Sequence, residues 1–166
     1  MSKKAVFFDR DNTLIIDKNY MFETKDLEFY EDSFSALKLI QSKGFELFIV
    51  TNQSGIGRGY FSIDQMHLFH KAMLDRFTQD DIEFRALKFC PHAPDDGCDC
   101  RKPNPTLILE CIKEYDIDTK NSFMIGDKVI DAQCGENAGM TGVTLNSKKE
   151  SKFKDFKSLT EFANYL

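Results

Sequence analysis

Closely spaced carboxylates follow an apolar run near the start of the chain. Asp9 and Asp11 come directly after the run at 5–8, and alternate residues leaving a strand point the same way. Asp127 follows another apolar run, at 123–125, after a glycine. If these carboxylates meet at the ends of two strands, they repel one another unless a cation is bound. Carboxylate oxygens near a phosphate are typical ligands of Mg²⁺ rather than of zinc.

Hydroxyl and amide side chains follow a third apolar run, at 47–50. They are Thr51, Asn52, Gln53 and Ser54, and glycines stand at 55, 57 and 59. Together with the backbone N–H groups of a glycine-rich turn, such side chains suit phosphate oxygens. The glycine spacing does not match a dinucleotide-binding fingerprint. We therefore expect this segment to bind phosphate in combination with the carboxylates.

Four soft ligands cluster between positions 90 and 100. Cys90, His92, Cys98 and Cys100 have the types and number of a closed tetrahedral zinc site, which leaves no open position for catalysis. Arg101 and Lys102 follow at once. We expect a structural Zn²⁺ to order this loop and so hold the two cations at the phosphate site. Cys111 and Cys134, on predicted helices, are expected to be buried thiols.

Length and composition favour one compact domain over residues 1–166, with the zinc-binding loop at 90–100. The net charge of −5 and the absence of an obvious basic-aromatic strip argue against nucleic acid, and we expect neither a nucleic-acid nor a membrane partner. We expect no signal peptide, because the N-terminal segment has only four apolar residues before a charge, and the cysteine usage fits a reducing compartment. A cytoplasmic location is therefore expected. We expect a monomer.

The elements that must position these residues alternate along the chain. Apolar runs at 5–8, 47–50, 87–89, 123–125 and 143–145 predict strands buried on both faces. Five helical patterns lie between and after these runs. The first ends at Gly44, the second begins after Ser62, the third opens near Pro105, the fourth runs from Asp131 to Ala138, and the fifth lies at the end of the chain. This alternation predicts an α/β fold: a doubly wound, mostly parallel sheet with helices on both faces. Ligands of such sheets lie beyond the carboxyl ends of the strands.

The motifs together resemble the haloacid dehalogenase superfamily of phosphatases: Asp9-x-Asp11-x-Thr13, Thr51 after a strand, Lys102, and Gly126-Asp127 with Asp131. The resemblance covers almost the whole chain and implies a HAD-like fold with a minimal cap. It implies that Asp9 is the nucleophile that forms an aspartyl-phosphate and that Asp11 is the acid and then the base. It further implies that Thr51 and Lys102 hold the phosphoryl oxygens and that Asp9, Asp11 and Asp127 bind Mg²⁺. Asn12 departs from the glycine common in the superfamily, and Asp131 is open to a second interpretation, as a helix cap.

A narrower resemblance rests on "TNQSGIGRGYF", the zinc loop, "CRKPNP", "MIGDK" and "DKNY". Together these segments look like the D-glycero-D-manno-heptose 1,7-bisphosphate 7-phosphatase family. That resemblance implies a small phosphorylated sugar as substrate. The substrate contacts that it implies are Asp17, Lys18, Asn19, Tyr20, Thr51, Asn52, Gln53, Ser54, Arg101, Lys102 and Lys128.

Three alternatives stay open. Histidinol-phosphate phosphatases share the zinc loop, and the short stretch between His92 and Cys98 looks much like theirs; the cations Arg58, Arg101 and Lys128 instead favour a bisphosphate. A nucleic-acid 3′-phosphatase and a non-catalytic zinc-stabilised binding module are the others. His67 and His70, on the second predicted helix, are expected at the surface or core edge because the zinc already has four ligands.

Overall fold

The computed structural model describes all residues of the chain, Met1–Leu166. Its sheet has six strands: β1 (Ala5–Phe8), β2 (Glu46–Asn52), β3 (Phe84–Cys90), β4 (Phe123–Gly126), β5 (Thr141–Leu145) and β6 (Asp155–Phe156). Their order across the sheet is β3-β2-β1-β4-β5-β6, and every pairing is parallel. The predicted doubly wound α/β fold is confirmed.

Six α-helices connect or follow the strands: α1 (Ser33–Ser42), α2 (Ser54–Gly57), α3 (Ile63–Gln79), α4 (Thr106–Tyr115), α5 (Val129–Asn137) and α6 (Leu159–Tyr165). Ser62 caps α3 as predicted, because its hydroxyl accepts a hydrogen bond from the Gln65 N–H. Between β1 and α1 the chain forms only a short 3₁₀ turn, Thr24–Asp26. No helix combines the length and the hydropathy needed to cross a membrane.

Two hydrophobic cores cover the two faces of the sheet. Alternate residues of β1 show the division: Phe8 belongs to a core with Phe69 and Phe77 of α3, whereas Phe7 packs with Ile108 of α4. Since both faces are covered, the strands read in sequence as near-continuous apolar runs. The sheet is therefore a rigid platform with only its edges and strand ends open.

Two elements differ from the sequence-based expectation. The helix expected from Asp131 begins earlier, at Val129, so Asp131 is its third residue and not its cap. Its carboxylate Oδ2 accepts a hydrogen bond from the Lys128 N–H at 3.1 Å, which satisfies a donor that the helix start leaves open. Strand β6 was not predicted, because two residues within a lysine-rich stretch give no periodic signal.

Candidate active site

The strand order reverses between β1 and β4, and the site lies at that point. Strands β2 and β3 continue from one side of β1, while β4, β5 and β6 continue from the other. The connections therefore diverge above the carboxyl ends of β1 and β4 and leave a crevice there. Asp9 follows β1 and Asp127 follows β4, and the Asp9 N–H donates to the Ile125 carbonyl at 3.0 Å. The topology thus brings the two carboxylates together as predicted.

Lys102 reaches this crevice from the far end of the zinc loop. Its side chain is 2 % exposed, and its Nζ lies 2.8 Å from Asp9 Oδ1 and 2.7 Å from Asp131 Oδ1. The third Nζ donor goes to the Val50 carbonyl at 2.8 Å. Burial alone would lower the pKa of Lys102, but the charges of Asp131 and Asp9 raise it above its ordinary value. Lys102 is therefore a buried, permanently charged ammonium with a fixed direction.

Asp131 fixes the position of the Lys102 ammonium through a buried ion pair. Both of its oxygens are engaged, one by Lys102 and the other by the Lys128 N–H. It packs so closely on Gly126 that a Cβ at that position would lie 2.3 Å from the Asp131 Cγ. The glycine before Asp127 is thus required by the close approach of a side chain, and Asp131 orients Lys102 from the wall of the crevice.

Asp127 shows the feature expected of a metal ligand. Its Oδ1 is buried and has no hydrogen-bond partner. Burial, then the charges of Asp9 and Asp131, raise the pKa of Asp127 to about 7. Burial and Asp131 also raise the pKa of Asp9, against the opposing effect of Lys102. Carboxylate oxygens of Asp9, Asp127 and Asp131 all lie within 4.8 Å of one another. A hard divalent cation fits this donor set, because it would satisfy the orphan oxygen and neutralise the repulsion.

Asp11 is fixed on the opposite side by Arg10. The guanidinium Nε donates to Asp11 Oδ1 at 2.8 Å and Nη2 donates to Oδ2 at 3.1 Å. Gln53 Nε2 lies 3.5 Å from Asp11 Oδ2 and donates to the Thr51 hydroxyl oxygen at 2.9 Å. Since the Thr51 oxygen accepts that bond, its own O–H remains available as a donor.

A polar cavity of about 360 Å³ opens above these residues. Most of the predicted site residues line it: Asp9, Asp11, Asp17, Asn19, Tyr20, Asn52, Gln53, Ser54, Arg101, Lys102, Asp127 and Lys128. Apart from the four predicted zinc ligands, two predicted site residues are not in the lining. Lys18 points to Glu28, with 3.1 Å between Nζ and Oε2, and Thr51 is 1 % exposed beneath Gln53. The lining combines the exposed cations Arg58 and Lys128 and the partly buried Arg101 with the more deeply buried acidic cluster.

The departure at Asn12 has a structural reason. Asn12 has φ 57°, a left-handed conformation that glycine and asparagine tolerate better than other residues. Its Oδ1 also accepts hydrogen bonds from the Asp17 N–H and the Tyr30 hydroxyl. Asn12 therefore ties the segment after the two aspartates to Asp17, which lines the cavity. Asn19 and Tyr20 have positive φ as well, which marks residues 17–20 as a conformationally restricted segment.

The four predicted zinc ligands meet in one place. The Sγ of Cys90 lies 3.6 Å from that of Cys98 and 2.8 Å from that of Cys100, and the His92 Nδ1 is 3.3 Å from the Cys100 Sγ. All five cysteines are free thiols. Two hydrogen bonds dock the loop on the site: the Gln53 N–H donates to the Cys90 carbonyl and the Gly57 N–H to the Pro91 carbonyl, both at 2.8 Å. The donor set fits a closed Zn²⁺ site.

Sequence reasoning missed Arg10 and the role of His70. Arg10 is 1 % exposed and is the largest fully buried side chain of the protein. A charged residue directly between two site aspartates was a usable signal, because a buried guanidinium needs partners. His70 is buried rather than at the surface, and it contacts Arg10 and not the zinc ligands. No spacing rule links residues that are 60 positions apart.

Replacing Lys102 with methionine is expected to destabilise the protein by about 3 kcal/mol, the scale for removing one partner of a buried ion pair. The change leaves Asp9 and Asp131 without their cation and the Val50 carbonyl without its donor. Urea denaturation in Mg²⁺-free buffer measures the difference. Lys71→Met is the matched control: its exposed pair with Asp75 predicts a change below about 0.5 kcal/mol. Equal effects of the two variants would contradict the structural importance of the buried pair.

Comparisons with known proteins agree with this geometry. Residues 4–165 match the family described as "Polynucleotide kinase 3 phosphatase". The D-glycero-alpha-D-manno-heptose-1,7-bisphosphate 7-phosphatase of Campylobacter jejuni is 39% identical over 169 residues, which cover 100% of this chain and 97% of the relative. The D-glycero-beta-D-manno-heptose-1,7-bisphosphate 7-phosphatase of Pasteurella multocida is 41% identical over 149 residues, covering 86% and 81%.

Solved structures show the same fold. A D,D-heptose 1,7-bisphosphate phosphatase from B. bronchiseptica, complexed with magnesium and phosphate, matches with a TM-score of 0.85 at 24% identity, covering 98% of this chain and 97% of that one. A HAD-superfamily hydrolase from Geobacter sulfurreducens matches with a TM-score of 0.66 at 16% identity, covering 99% and 100%. The family match over residues 4–165 and the names of the relatives show that this chain is a phosphatase and belongs to the polynucleotide kinase 3 phosphatase family.

Proposed function

We propose that this phosphatase removes the 7-phosphate of D-glycero-D-manno-heptose 1,7-bisphosphate. The names of relatives that are about 40% identical support this substrate. The observation that carries the choice of a bisphosphate is Arg101. It lines the cavity next to Lys102, and its Nη1 is buried without a hydrogen-bond partner. A buried guanidinium nitrogen without an acceptor is costly, and a second phosphate is the acceptor that its planar fork suits.

The transferred phosphate would lie at the acidic base of the cavity. The Asp9 carboxylate attacks phosphorus, a P–O bond to Asp9 forms, and the bond to the sugar oxygen breaks. Lys102 already lies 2.8 Å from Asp9 Oδ1, so it aims the nucleophile and neutralises charge on the phosphoryl oxygens. The Thr51 hydroxyl, whose own O–H is free, would supply a further donor from beneath Gln53. Lys102 is held by Asp131, so no reorganisation is needed when the negative charge develops.

Asp11 completes both half-reactions in this proposal. It gives a proton to the departing sugar oxygen in the first step. As a carboxylate it then takes a proton from water, whose oxygen attacks the aspartyl-phosphate and releases Asp9 and inorganic phosphate. Its carboxylate lines the cavity and is fixed by the fork of Arg10. Asp9 and Asp11 are therefore separate groups with separate tasks, one anchored by Lys102 and the other by Arg10.

We propose Mg²⁺ and Zn²⁺ as the two cofactors. The Asp9 and Asp127 side chains and the Asp11 backbone carbonyl would hold Mg²⁺, which supplies charge neutralisation at the transferring phosphoryl group. Cys90, His92, Cys98 and Cys100 would hold Zn²⁺ as a structural ion. Residues 17–20, 52–54 and Lys128 would contact the sugar and the second phosphate, and the chain would act as one domain and as a monomer.

The selectivity prediction concerns the second phosphate. We expect kcat/KM in Mg²⁺ to be higher for heptose 1,7-bisphosphate than for heptose 7-phosphate, and Arg101→Gln to reduce this preference about 10-fold to 100-fold, the scale of a hydrogen bond to a charged group. The control is Arg85→Gln, which removes a guanidinium that pairs with Glu46 and does not line the cavity. Both anomers are assayed, because the relatives named above differ in this respect.

The same assay separates the competing substrates. Histidinol phosphate and a 3′-phosphorylated oligonucleotide are measured beside the heptose bisphosphate. A higher kcat/KM for either one, or a preference for the bisphosphate that Arg101→Gln leaves unchanged, would contradict the proposed substrate. Neither result would affect the assignment of this protein as a phosphatase.

A further inference from the structure

The Arg10 guanidinium is held from two directions in the interior of the protein. Two of its nitrogens are bound to Asp11, as described above. The remaining one, Nη1, lies 2.9 Å from His70 Nε2 of α3. The guanidinium also lies over the Phe69 ring, 4.8 Å from its centroid. The residue is 1 % exposed, so water does not substitute for any of these contacts.

His70 acts as the acceptor in this contact. An arginine nitrogen only donates hydrogen bonds, so the His70 Nε2 must carry a lone pair and the ring proton must be on Nδ1. Burial, then the charge of Arg10, lowers the pKa of His70 to about 3. The imidazole is therefore neutral at the pH of any assay, and a neutral ring is what a buried guanidinium requires on this side.

The aim of Asp11 depends on this arrangement. A fork that grips both carboxylate oxygens sets the plane of the carboxyl group as well as its position. The guanidinium keeps its plane only while Nη1 has an acceptor. Without His70 a buried N–H donor is left unpaired, and rotating the guanidinium toward a different acceptor becomes favourable. His70, on α3, does not line the cavity and thus acts on it only through Arg10.

We propose that His70 is a positioning residue for the acid–base step: it fixes Arg10, and Arg10 fixes the Asp11 carboxyl group against the leaving-group oxygen. The inference rests on the role of Asp11 in the proposed function. Its consequence is specific to proton transfer. A misaligned Asp11 slows the departure of a leaving group that needs a proton and has little effect on one that leaves as a stable anion.

The test uses aryl phosphates that differ in the basicity of the leaving group, from pentafluorophenyl through p-nitrophenyl to phenyl phosphate. We expect His70→Leu to lower kcat/KM, which reports the steps through departure of the leaving group, about tenfold for phenyl phosphate and less than about twofold for pentafluorophenyl phosphate. His70→Gln is expected to restore most of the loss, because its side-chain oxygen can accept from Arg10. His67→Leu removes an exposed imidazole from the same helix and is the control; it is expected to have no effect that depends on the leaving group.

A crystal structure of His70→Leu gives a second readout, which does not depend on activity. We expect the Arg10 guanidinium and the Asp11 carboxyl group to have changed position. Unchanged positions of both groups in His70→Leu would overturn the inference. So would a kcat/KM that falls equally for all aryl phosphates, does not fall, or rises. An Asp11→Asn variant whose kcat/KM falls equally for all leaving groups would instead remove Asp11 from the acid role in the proposed function. Displacement of Asp11 in His70→Leu would then still show that His70 positions this carboxyl group, but not that it acts on proton transfer.

Discussion

Replacing Asp9 with asparagine is expected to abolish phosphatase turnover and leave the fold intact, with kcat lower by more than about 10⁴-fold. The asparagine side chain has nearly the same shape, and its oxygen can still accept a hydrogen bond from Lys102. An amide is not a nucleophile toward phosphorus, however, so the first half-reaction has no attacking group. Steady-state hydrolysis of the preferred substrate in Mg²⁺ measures the loss.

Stability should not fall in Asp9→Asn. Burial and the charge of Asp131 raise the pKa of Asp9, which means that the folded protein disfavours its charged form despite Lys102. A neutral side chain removes that cost, so urea denaturation should give a free energy of unfolding no lower than that of the wild type. Asp75→Asn, the same change on the exposed face of α3, is the matched control and should retain full activity. Activity of Asp9→Asn within about tenfold of the wild type would remove Asp9 as the nucleophile.

Loss of one zinc ligand is expected to have the second large effect. The wild-type protein should bind about one zinc per chain, and Cys98→Ser should lose the metal on dialysis, because three ligands no longer close a tetrahedral site. Partial burial opposes ionisation, yet the Arg101 N–H and the neighbouring thiols lower the pKa of Cys98 to about 7, which favours the thiolate that zinc requires. Elemental analysis of protein purified without chelators measures the zinc content.

The zinc variant should also lose activity on the bisphosphate. The loop ends at Arg101 and Lys102, and without the ion the chain between Cys90 and Cys100 has mainly prolines, a glycine and a few hydrogen bonds to order it. We expect kcat/KM to fall by at least about tenfold, because both cations must then be ordered upon substrate binding. Cys111→Ser, the same substitution at a buried thiol outside the cluster, should keep its zinc. Wild-type protein without zinc, or full activity of zinc-free Cys98→Ser, would contradict the structural role of the ion.

Much of the site could be predicted from local patterns. The apolar runs that precede Asp9, Thr51 and Asp127 are strands of one parallel sheet, and strand ends of such a sheet share one edge. Ligand types and spacing alone indicated the cysteine–histidine cluster, whose four side chains meet as expected. In each of these cases the signal lies within about ten residues, a range over which backbone geometry restricts where side chains point.

The start of α5 shows where a local pattern is ambiguous. An aspartate near a predicted helix start can cap it from outside or hydrogen-bond backwards from its first turn. Asp131 does the latter and at the same time pairs with Lys102 from another loop. The ion pair with Lys102 cannot be deduced from the residues next to Asp131, since the partner approaches through space.

The sequence by itself determined the fold class, the carboxylates at the strand ends and the cysteine–histidine cluster of this protein, because each depends on residue types at short, regular spacing. Only the tertiary structure decided which buried side chains pair with one another. It placed Lys102 between Asp9 and Asp131, left an oxygen of Asp127 without a partner, and paired Arg10 with His70. The physical reason is that buried charges must find partners wherever the packed chain brings them, and those partners lie far apart in sequence.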